Sequence, residues 1–545
     1  MVVVADYPSQ ESRQARPMSS LQRRVITLAS GTMISRLSGL LRTLVLAYVL
    51  GFTPLADGFN LANTIPNSLY DLVIGGVIGA TFLSVFVQRI TLDGERKAWR
   101  SISSVVTLTL IVLAVATLLT WIFAPYIVDA MTAFNHLDPH RDVVVLQNQR
   151  EVATTFLRWF APQVFLYGIL SLSGVLLQIR HKFGAVSYAP IVNNVVAIAV
   201  LIWFHIAVPA PTVTSVLGTR ELTLLALGTT LGLLAQFFVL VPSLMSSRLG
   251  RVRLRLDMRD EAVRGVLRLG SWTILVVIVN QVALYFVLAL AFGVGGSGPV
   301  SAYTYGWAFM QMPFAVVVAS VLQAVNTDLI ALYTSDDRHG YRERLMDALR
   351  TSLTIVVPLA ALMVILAQPI VALLLNHADG SVTLEAGVVL AVLATGLPGY
   401  TVFQVIIRGL QAQQRGADIF GLYALQNLAT VILAAAIGRH SLGALISAIS
   451  ISYTLAAVAG LGVMHYRQTS VGAVFLESHF RRLLLASISS ALTAAVAYSF
   501  MGSTTGAGLA VRTGLASGAG LLTFLFFFRH AVRKSDFGAL VRGKV

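Results

Sequence analysis

The stretch that decides the fold is residues 25–50, which read VITLASGTMISRLSGLLRTLVLAYVL. Its only charged residues are Arg36 and Arg42. A helix that crosses the hydrocarbon core of a bilayer needs about 20 mostly apolar residues. The stretch therefore predicts a membrane-spanning helix that carries two arginines inside the membrane.

The rest of the chain repeats this pattern. Of its 545 residues, 56% are hydrophobic and 12% charged, about half the charged share of a soluble protein, and the mean hydropathy is +0.79. This composition excludes a soluble enzyme, a secreted scaffold and a disordered chain, and predicts an all-α polytopic membrane protein. We count fourteen apolar stretches, near 25–50, 59–88, 102–125, 155–178, 186–206, 222–245, 266–292, 300–333, 351–375, 386–410, 418–438, 441–464, 482–501 and 507–528.

Little in the sequence points to covalent chemistry. The chain has no cysteine, its ten histidines lack metal-ligand spacing, and it carries no nucleotide-binding motif. We therefore expect a protein that is not an enzyme, with no catalytic residue, metal or cofactor. A membrane potential or an ion gradient, of an ion that the sequence does not identify, is the expected energy source.

The basic residues predict the orientation. With both termini in the cytoplasm, 31 of the 39 Lys and Arg residues fall in inside segments and 6 fall outside. Cytoplasmic loops collect Lys and Arg, so the net charge of +15 reflects topology rather than nucleic-acid binding. The expected location is the bacterial cytoplasmic (inner) membrane.

A weak internal repeat divides the chain. The fourth and tenth spans each carry a proline and then a glutamine, and an asparagine follows sixteen residues later in the next span, at Pro162, Gln178 and Asn194 and at Pro398, Gln411 and Asn427. Spans 1–6 and 7–12 are thus predicted to be two parallel copies of one six-helix unit. The predicted parts are a disordered cytoplasmic N-terminus (1–20), an N-lobe (21–246), a C-lobe (247–466), and spans 13–14 with a cytoplasmic tail (467–545).

Charge within the membrane marks the candidate site. An arginine at the bilayer centre costs about 2.5–3.5 kcal/mol, so it normally faces a cavity. Arg36 and Arg42 are about 120° and about 9 Å apart on one helix, which suits one wide cavity but not a bidentate site. The alternative is that both side chains extend along the helix so that their guanidinium groups reach the membrane–water interface. The depth of Arg36 favours a functional role.

Carboxylates are scarcer than arginines in the spans. Asp57 follows the first span, and we predict an Arg42–Asp57 ion pair that acts as a gate opened by a competing substrate anion. A static pair joining the first two helices is the alternative. Asp71 lies five residues after Pro66 and is a candidate for ion coupling.

Uncharged polar residues recur on the second and eighth spans. Asn60, Asn63 and Asn67 form one helical stripe, and Gln311 is the polar residue that we assign to the site on span 8. A polar stripe in a membrane helix faces water, a ligand or a partner helix. We predict that Asn63, Asn67 and Gln311 bind substrate together with the two arginines, and interhelical hydrogen bonding is the alternative.

The first two spans resemble the MurJ (MviN) family of lipid II flippases, within the multidrug/oligosaccharidyl-lipid/polysaccharide exporter superfamily. The residues that carry the resemblance are Ser35, Arg36, Gly39, Arg42, Gly51, Ala56, Asp57, Phe59, Ala62, Pro66 and Asn67. The resemblance implies two lobes in a pseudo-symmetric V around a cationic cavity, and a groove at spans 13 and 14 for a lipid tail. It also implies that the first-span arginines serve the cavity and that Asp57 is the gate partner.

Two positions depart from the family pattern. Family members often have arginine in span 2, where this chain has Tyr70 and Asp71, and in span 8, where it has Trp307 and Ala308. The cavity is therefore less cationic than the pattern implies.

The function expected from all of this is a flippase that moves lipid II, or a related polyprenyl-diphosphate glycolipid, to the outer leaflet by alternating access. Cell-wall synthesis and division proteins are possible partners. Three alternatives stay open: a flippase for another lipid-linked glycan, a drug exporter of the same superfamily, or a non-transporting scaffold of the cell-wall synthesis complex. A cation exporter would need an acidic cavity, and in a scaffold the arginines could be replaced without effect.

Overall fold

The computed structural model describes most of the chain. The described residues are 20–71, 79–138, 142–180, 182–247, 253–257, 260–294, 296, 298–374, 380–467, 469–501 and 507–532. Residues 1–19 and 533–545, on which the predicted disordered N-terminus and most of the cytoplasmic tail fall, lie outside this part.

The described residues form α-helices joined by short turns, which confirms the all-α prediction. The helices are α1 (Ser20–Leu50), α2 (Pro54–Tyr70), α3 (Gly79–Ile122), α4 (Ala124–Met131), α5 (Val143–Ile179), α6 (Phe183–Ala207), α7 (Val213–Val216), α8 (Arg220–Met245), α9 (Glu261–Gly293), α10 (Pro299–Pro313), α11 (Ala319–Thr334), α12 (Arg338–Leu374), α13 (Gly380–Ala412), α14 (Gly416–Ile437), α15 (Leu442–Tyr466), α16 (Ser478–Phe500) and α17 (Ala507–Val532).

Twelve of the helical segments in the described ranges are long and apolar enough to cross a membrane. The two other predicted spans, 59–88 and 300–333, are not among these twelve. Residues 72–78 between α2 and α3 are outside the described part, and a π-helical turn, Phe314–Val318, separates α10 from α11. Fourteen spans therefore remain a prediction.

The π-helical turn begins next to a proline. Pro313 ends α10, and the turn begins at the next residue. A proline inside a helix removes one backbone hydrogen bond and crowds the preceding turn, so the helix must change its geometry there.

The internal repeat appears in the packing. In the first half, α1 packs on α6, α6 on α8, α5 on α8, α2 on α5 and α3 on α5. In the second half, the equivalent helices make the same contacts: α9 packs on α14, α14 on α15, α13 on α15, α10 on α13 and α12 on α13. The described helices thus form two lobes with equivalent packing, and α16 and α17 pack on each other and on α12 outside this pattern.

An ionic cluster joins the additional helices to the second lobe. Arg350 of α12 donates to both carboxylate oxygens of Glu477, at 2.6 and 3.0 Å, and to Asp347 at 2.7 Å. Glu477 immediately precedes α16, so this bidentate pair links the start of that helix to α12.

Candidate functional site

A cavity of about 160 Å³ lies where α10 of the second lobe meets the helices of the first. We call it the N-lobe cavity. Arg42 is the one charged side chain among its described lining residues, and it is partly buried. The lining residues are Arg42, Thr43, Leu46, Phe59, Asn60, Asn63, Gln163, Tyr167, Asn193, Ala197, Leu201, Thr229, Leu233, Thr304, Tyr305 and Ala308.

Arg36 has a different environment from Arg42. Its side chain is exposed, and its guanidinium donates a hydrogen bond to the carbonyl oxygen of Ala315. Ala315 belongs to the π-helical turn between α10 and α11, where the regular i to i−4 bonding is interrupted. Arg36 therefore connects the first helix of one lobe to the break in a helix of the other.

Asp57 does not form the predicted ion pair with Arg42 in this conformation. Its buried carboxylate accepts two hydrogen bonds from Ser301, one from the backbone N–H and one from the hydroxyl, each 2.7 Å long. Asn60 donates to the same Ser301 hydroxyl at 3.0 Å. The gate pairing of Asp57 with Arg42 therefore stays a prediction, and the contact with Ser301 was not foreseen from the sequence.

Local sequence positions this contact on both sides. Thr53 caps α2 by accepting a hydrogen bond from the N–H of Ala56 at 3.2 Å, and Pro54 occupies the first turn, so Asp57 falls in that turn. Ser301 lies in the first turn of α10. The carboxylate thus meets a helix N-terminus, where backbone N–H groups favour negative charge.

The two lobes approach closely around this contact, which we call the outer junction because the charge distribution predicts that this end faces outward. The rings of Phe52 and Tyr305 meet edge to face with their centroids 5.4 Å apart. Gly298 has a φ of 82° and lies directly against the backbone of Phe52, where a Cβ atom would clash. The polar contact is therefore surrounded by tight backbone and aromatic packing.

The asparagine stripe on α2 serves several purposes. Asn63 lines the N-lobe cavity, as its predicted role requires. Asn60 lines the same cavity and also bonds to Ser301. Asn67, predicted to bind substrate, donates instead to the backbone carbonyl of Asn63 at 2.8 Å.

A second cavity of about 320 Å³ lies among the helices of the second lobe, and we call it the C-lobe chamber. The predicted residues Gln311 and Asp71 both line it, and Asp71 is the one charged residue among its described lining residues. The lining residues are Asp71, Asn280, Gln281, Ala283, Leu284, Val287, Tyr303, Trp307, Gln311, Tyr400, Gln404, Tyr423, Gln426, Asn427, Thr430, Ile449 and Tyr453.

The aromatic residues of the C-lobe chamber were missed from the sequence. Trp307 stacks on Tyr453 with centroids 6.1 Å apart, and Tyr400 meets both rings edge to face, at 6.0 and 5.0 Å. Aromatic residues are common in membrane helices, so none attracted attention alone. The spacing of Tyr303, Trp307 and Gln311 at i, i+4 and i+8 places them on one helix face and was the available signal.

Within the described ranges, no group of three His, Cys, Asp or Glu side chains could hold a metal ion. The polar groups of both cavities are mainly amides and hydroxyls, with one guanidinium and one carboxylate. Such groups bind and orient a polar ligand by hydrogen bonds and charge.

Two matching lobes of long apolar helices, with polar cavities that share α10, are the architecture of a multi-pass membrane transporter. The chain belongs to the MurJ family, because the family model described as lipid II flippase MurJ matches residues 46–510. Relatives include the lipid II flippase MurJ of Burkholderia cenocepacia, 25% identical over 403 residues (72% of this chain and 74% of that protein). The probable lipid II flippase MurJ of Rhizobium meliloti is 25% identical over 400 residues (72% and 71%).

Solved structures share the fold. A lipid II flippase MurJ in an inward closed conformation superposes with a TM-score of 0.72 at 18% identity, covering 93% of this chain and all of that one. An inward-facing multidrug resistance MATE family transporter of the MOP superfamily gives 0.65 at 15% identity, with coverages of 84% and 99%. The two-lobe architecture implied by the resemblance is thereby confirmed.

Proposed function

We propose that this protein is a flippase that moves lipid II, a polyprenyl-diphosphate-linked peptidoglycan precursor, from the inner to the outer leaflet by alternating access. The family assignment and the names of the relatives support this substrate. Lipid II is consumed in cell-wall synthesis, so the protein serves peptidoglycan biosynthesis. Both termini are proposed to lie in the cytoplasm, and cell-wall synthesis or division proteins are proposed partners.

The observation that carries the proposal is the position of Arg42. The diphosphate of the substrate cannot enter hydrocarbon without a compensating charge. Arg42 offers a guanidinium within a cavity lined otherwise by amides, hydroxyls and apolar groups, and guanidinium binds phosphate through paired N–H donors. Asn63 supplies a further donor in the same cavity.

The contacts between the lobes support alternating access. The outer junction closes the predicted outer end through Asp57, Asn60 and Ser301. Arg36 bonds to the π-helical turn about midway along its own helix, so it connects the lobes at another depth. We propose that opening outward breaks the outer junction and that the π-helical turn allows α10 to change direction there.

The energy source is proposed to be the membrane potential or an ion gradient, with no cofactor. One elementary charge moved across 100 mV contributes about 2.3 kcal/mol. Asp71 is the proposed coupling residue because it is the one carboxylate among the described lining residues of the C-lobe chamber.

The test is lipid II translocation by the purified full-length protein in proteoliposomes. Arg42→Ala removes the cavity charge, and we expect transport to fall at least tenfold with unchanged yield and melting temperature. Arg439→Ala is the matched control, because it removes the same group from an exposed turn between α14 and α15. Full activity of Arg42→Ala contradicts the proposal.

A second candidate is an exporter of organic cations. The C-lobe chamber combines Asp71 with aromatic rings, an arrangement that binds cations, and MATE transporters share the fold. Proteoliposomes that accumulate a lipophilic cation but do not translocate lipid II would favour this candidate.

A further inference from the structure

The C-lobe chamber has a lining that the transport of a diphosphate does not explain. We propose that it is a carbohydrate subsite, which holds a sugar of the substrate head group while Arg42 holds the diphosphate. This inference rests on the proposed function and adds to it a location for the glycan. Three features of the chamber support it: its aromatic rings, its amides and its charge.

The aromatic rings form one continuous group. Tyr303 and Trp307 have centroids 6.2 Å apart, and Trp307 in turn contacts Tyr400 and Tyr453. Trp307 and Tyr453 are only partly buried, so ring surface remains open to the chamber. A sugar ring presents a face of C–H bonds, and such a face packs on the electron-rich face of an aromatic ring.

The amides suit the edge of a sugar, where hydroxyl groups both donate and accept hydrogen bonds. Each carboxamide offers two donors and one acceptor, as hydroxyl recognition requires. The chamber contains six of them, at Asn280, Gln281, Gln311, Gln404, Gln426 and Asn427.

Part of this hydrogen-bonding capacity is unused. The Oε1 atom of Gln281 is buried without a hydrogen-bond partner among the described residues. A buried acceptor without a partner is energetically unfavourable. A ligand hydroxyl would remove that cost. By contrast, the side-chain amide of Asn427 donates to Oδ1 of Asn280 at 2.6 Å and to the carbonyl oxygen of Tyr423 at 2.8 Å. These bonds fix the orientation of Asn427 before any ligand binds.

The charges of the two cavities orient the head group. Asp71 disfavours a diphosphate in the C-lobe chamber, whereas Arg42 favours it in the N-lobe cavity. The cavities are neighbours, since Asn63 lies on α2 and Asp71 directly follows the end of that helix, about 12 Å further along its axis. The sugar is uncharged, so Asp71 does not repel it. With the diphosphate bound at Arg42, the sugar is therefore the part of the head group that suits the C-lobe chamber.

The experiment compares the affinity of the full-length protein in lipid nanodiscs for two probes, lipid II and a polyprenyl diphosphate without sugar. We expect the wild-type protein to bind lipid II about tenfold more tightly than the polyprenyl diphosphate. This ratio is the effect expected from one or two additional hydrogen bonds and a contact with an aromatic ring. Trp307→Ala and Gln281→Leu should reduce this ratio to below about threefold. Arg42→Ala should weaken both probes and keep the ratio.

Each other outcome overturns the subsite. A ratio near one in wild type, or a tenfold ratio in both chamber variants, shows that the sugar binds elsewhere. If the chamber variants bind tetraphenylphosphonium more weakly but keep the ratio of affinities for the two lipids, the chamber is an organic-cation pocket instead. If wild type binds neither lipid, the proposed function itself fails. Gln281→Leu conserves side-chain size, so it keeps the test valid if Trp307→Ala does not fold.

Discussion

The outer junction gives the sharpest prediction about conformation. Asp57→Asn keeps the shape of the side chain but removes the charge from two 2.7 Å hydrogen bonds to Ser301. Charge-assisted hydrogen bonds are worth about 1 kcal/mol more than neutral ones, and a charge at a helix N-terminus adds about 0.3–1 kcal/mol. We expect the closed junction to lose about 2–3 kcal/mol, which shifts the equilibrium toward an outward-open state about 30- to 150-fold.

A milder change at the same place gives a graded series. Ser301→Ala removes the hydroxyl that Asp57 and Asn60 share but keeps the backbone N–H. We expect a loss of about 1.5 kcal/mol and a shift of about tenfold. Asp129→Asn is the matched control, because its carboxylate is 61% exposed and lies away from the junction.

Spin-label distance measurements across the predicted outer end can read this series. The chain has no cysteine, so Thr214→Cys and His440→Cys, both at exposed positions of different lobes, can be labelled without background. The long-distance population should rise in the order control, Ser301→Ala, Asp57→Asn. Identical distance distributions in all three would refute the reasoning.

Two further predictions concern the remaining charged residues. Arg36→Ala should slow lipid II translocation several-fold by releasing the π-helical turn, whereas Arg36→Lys should recover part of the rate; equal rates for wild type and Arg36→Ala would exclude this role. Asp71→Asn should abolish the response of the translocation rate to an imposed membrane potential or ion gradient, with slow transport remaining; an unchanged response would remove Asp71 as the coupling residue.

The fold followed from the sequence because bilayer thickness constrains every helix in the same way. Long apolar runs have few alternatives to membrane helices, and the repeated order of proline, glutamine and asparagine in the two halves of the chain matches two lobes with equivalent packing. The change from α10 to the π-helical turn coincides with Pro313, which lies inside an overlong apolar stretch.

The site was only partly predictable. Arg42 and Asn63 could be assigned to a cavity because a polar side chain in a membrane helix is unfavourable when it faces lipid. The partner of Asp57 could not, because Ser301 is 244 residues away and an ordinary serine in sequence. The carbonyl of Ala315 becomes a partner for Arg36 only through the π-helical turn, which no local pattern announces.

In the proposed mechanism, the N-lobe cavity is open to water and receives the substrate diphosphate at Arg42. Thr43→Cys places the only thiol of the chain in the wall of this cavity, next to Arg42. We predict that a charged, membrane-impermeant thiol reagent labels it, that lipid II protects it, and that protection disappears when Arg42→Ala is added. Absence of labelling, or protection that persists without Arg42, would contradict the account.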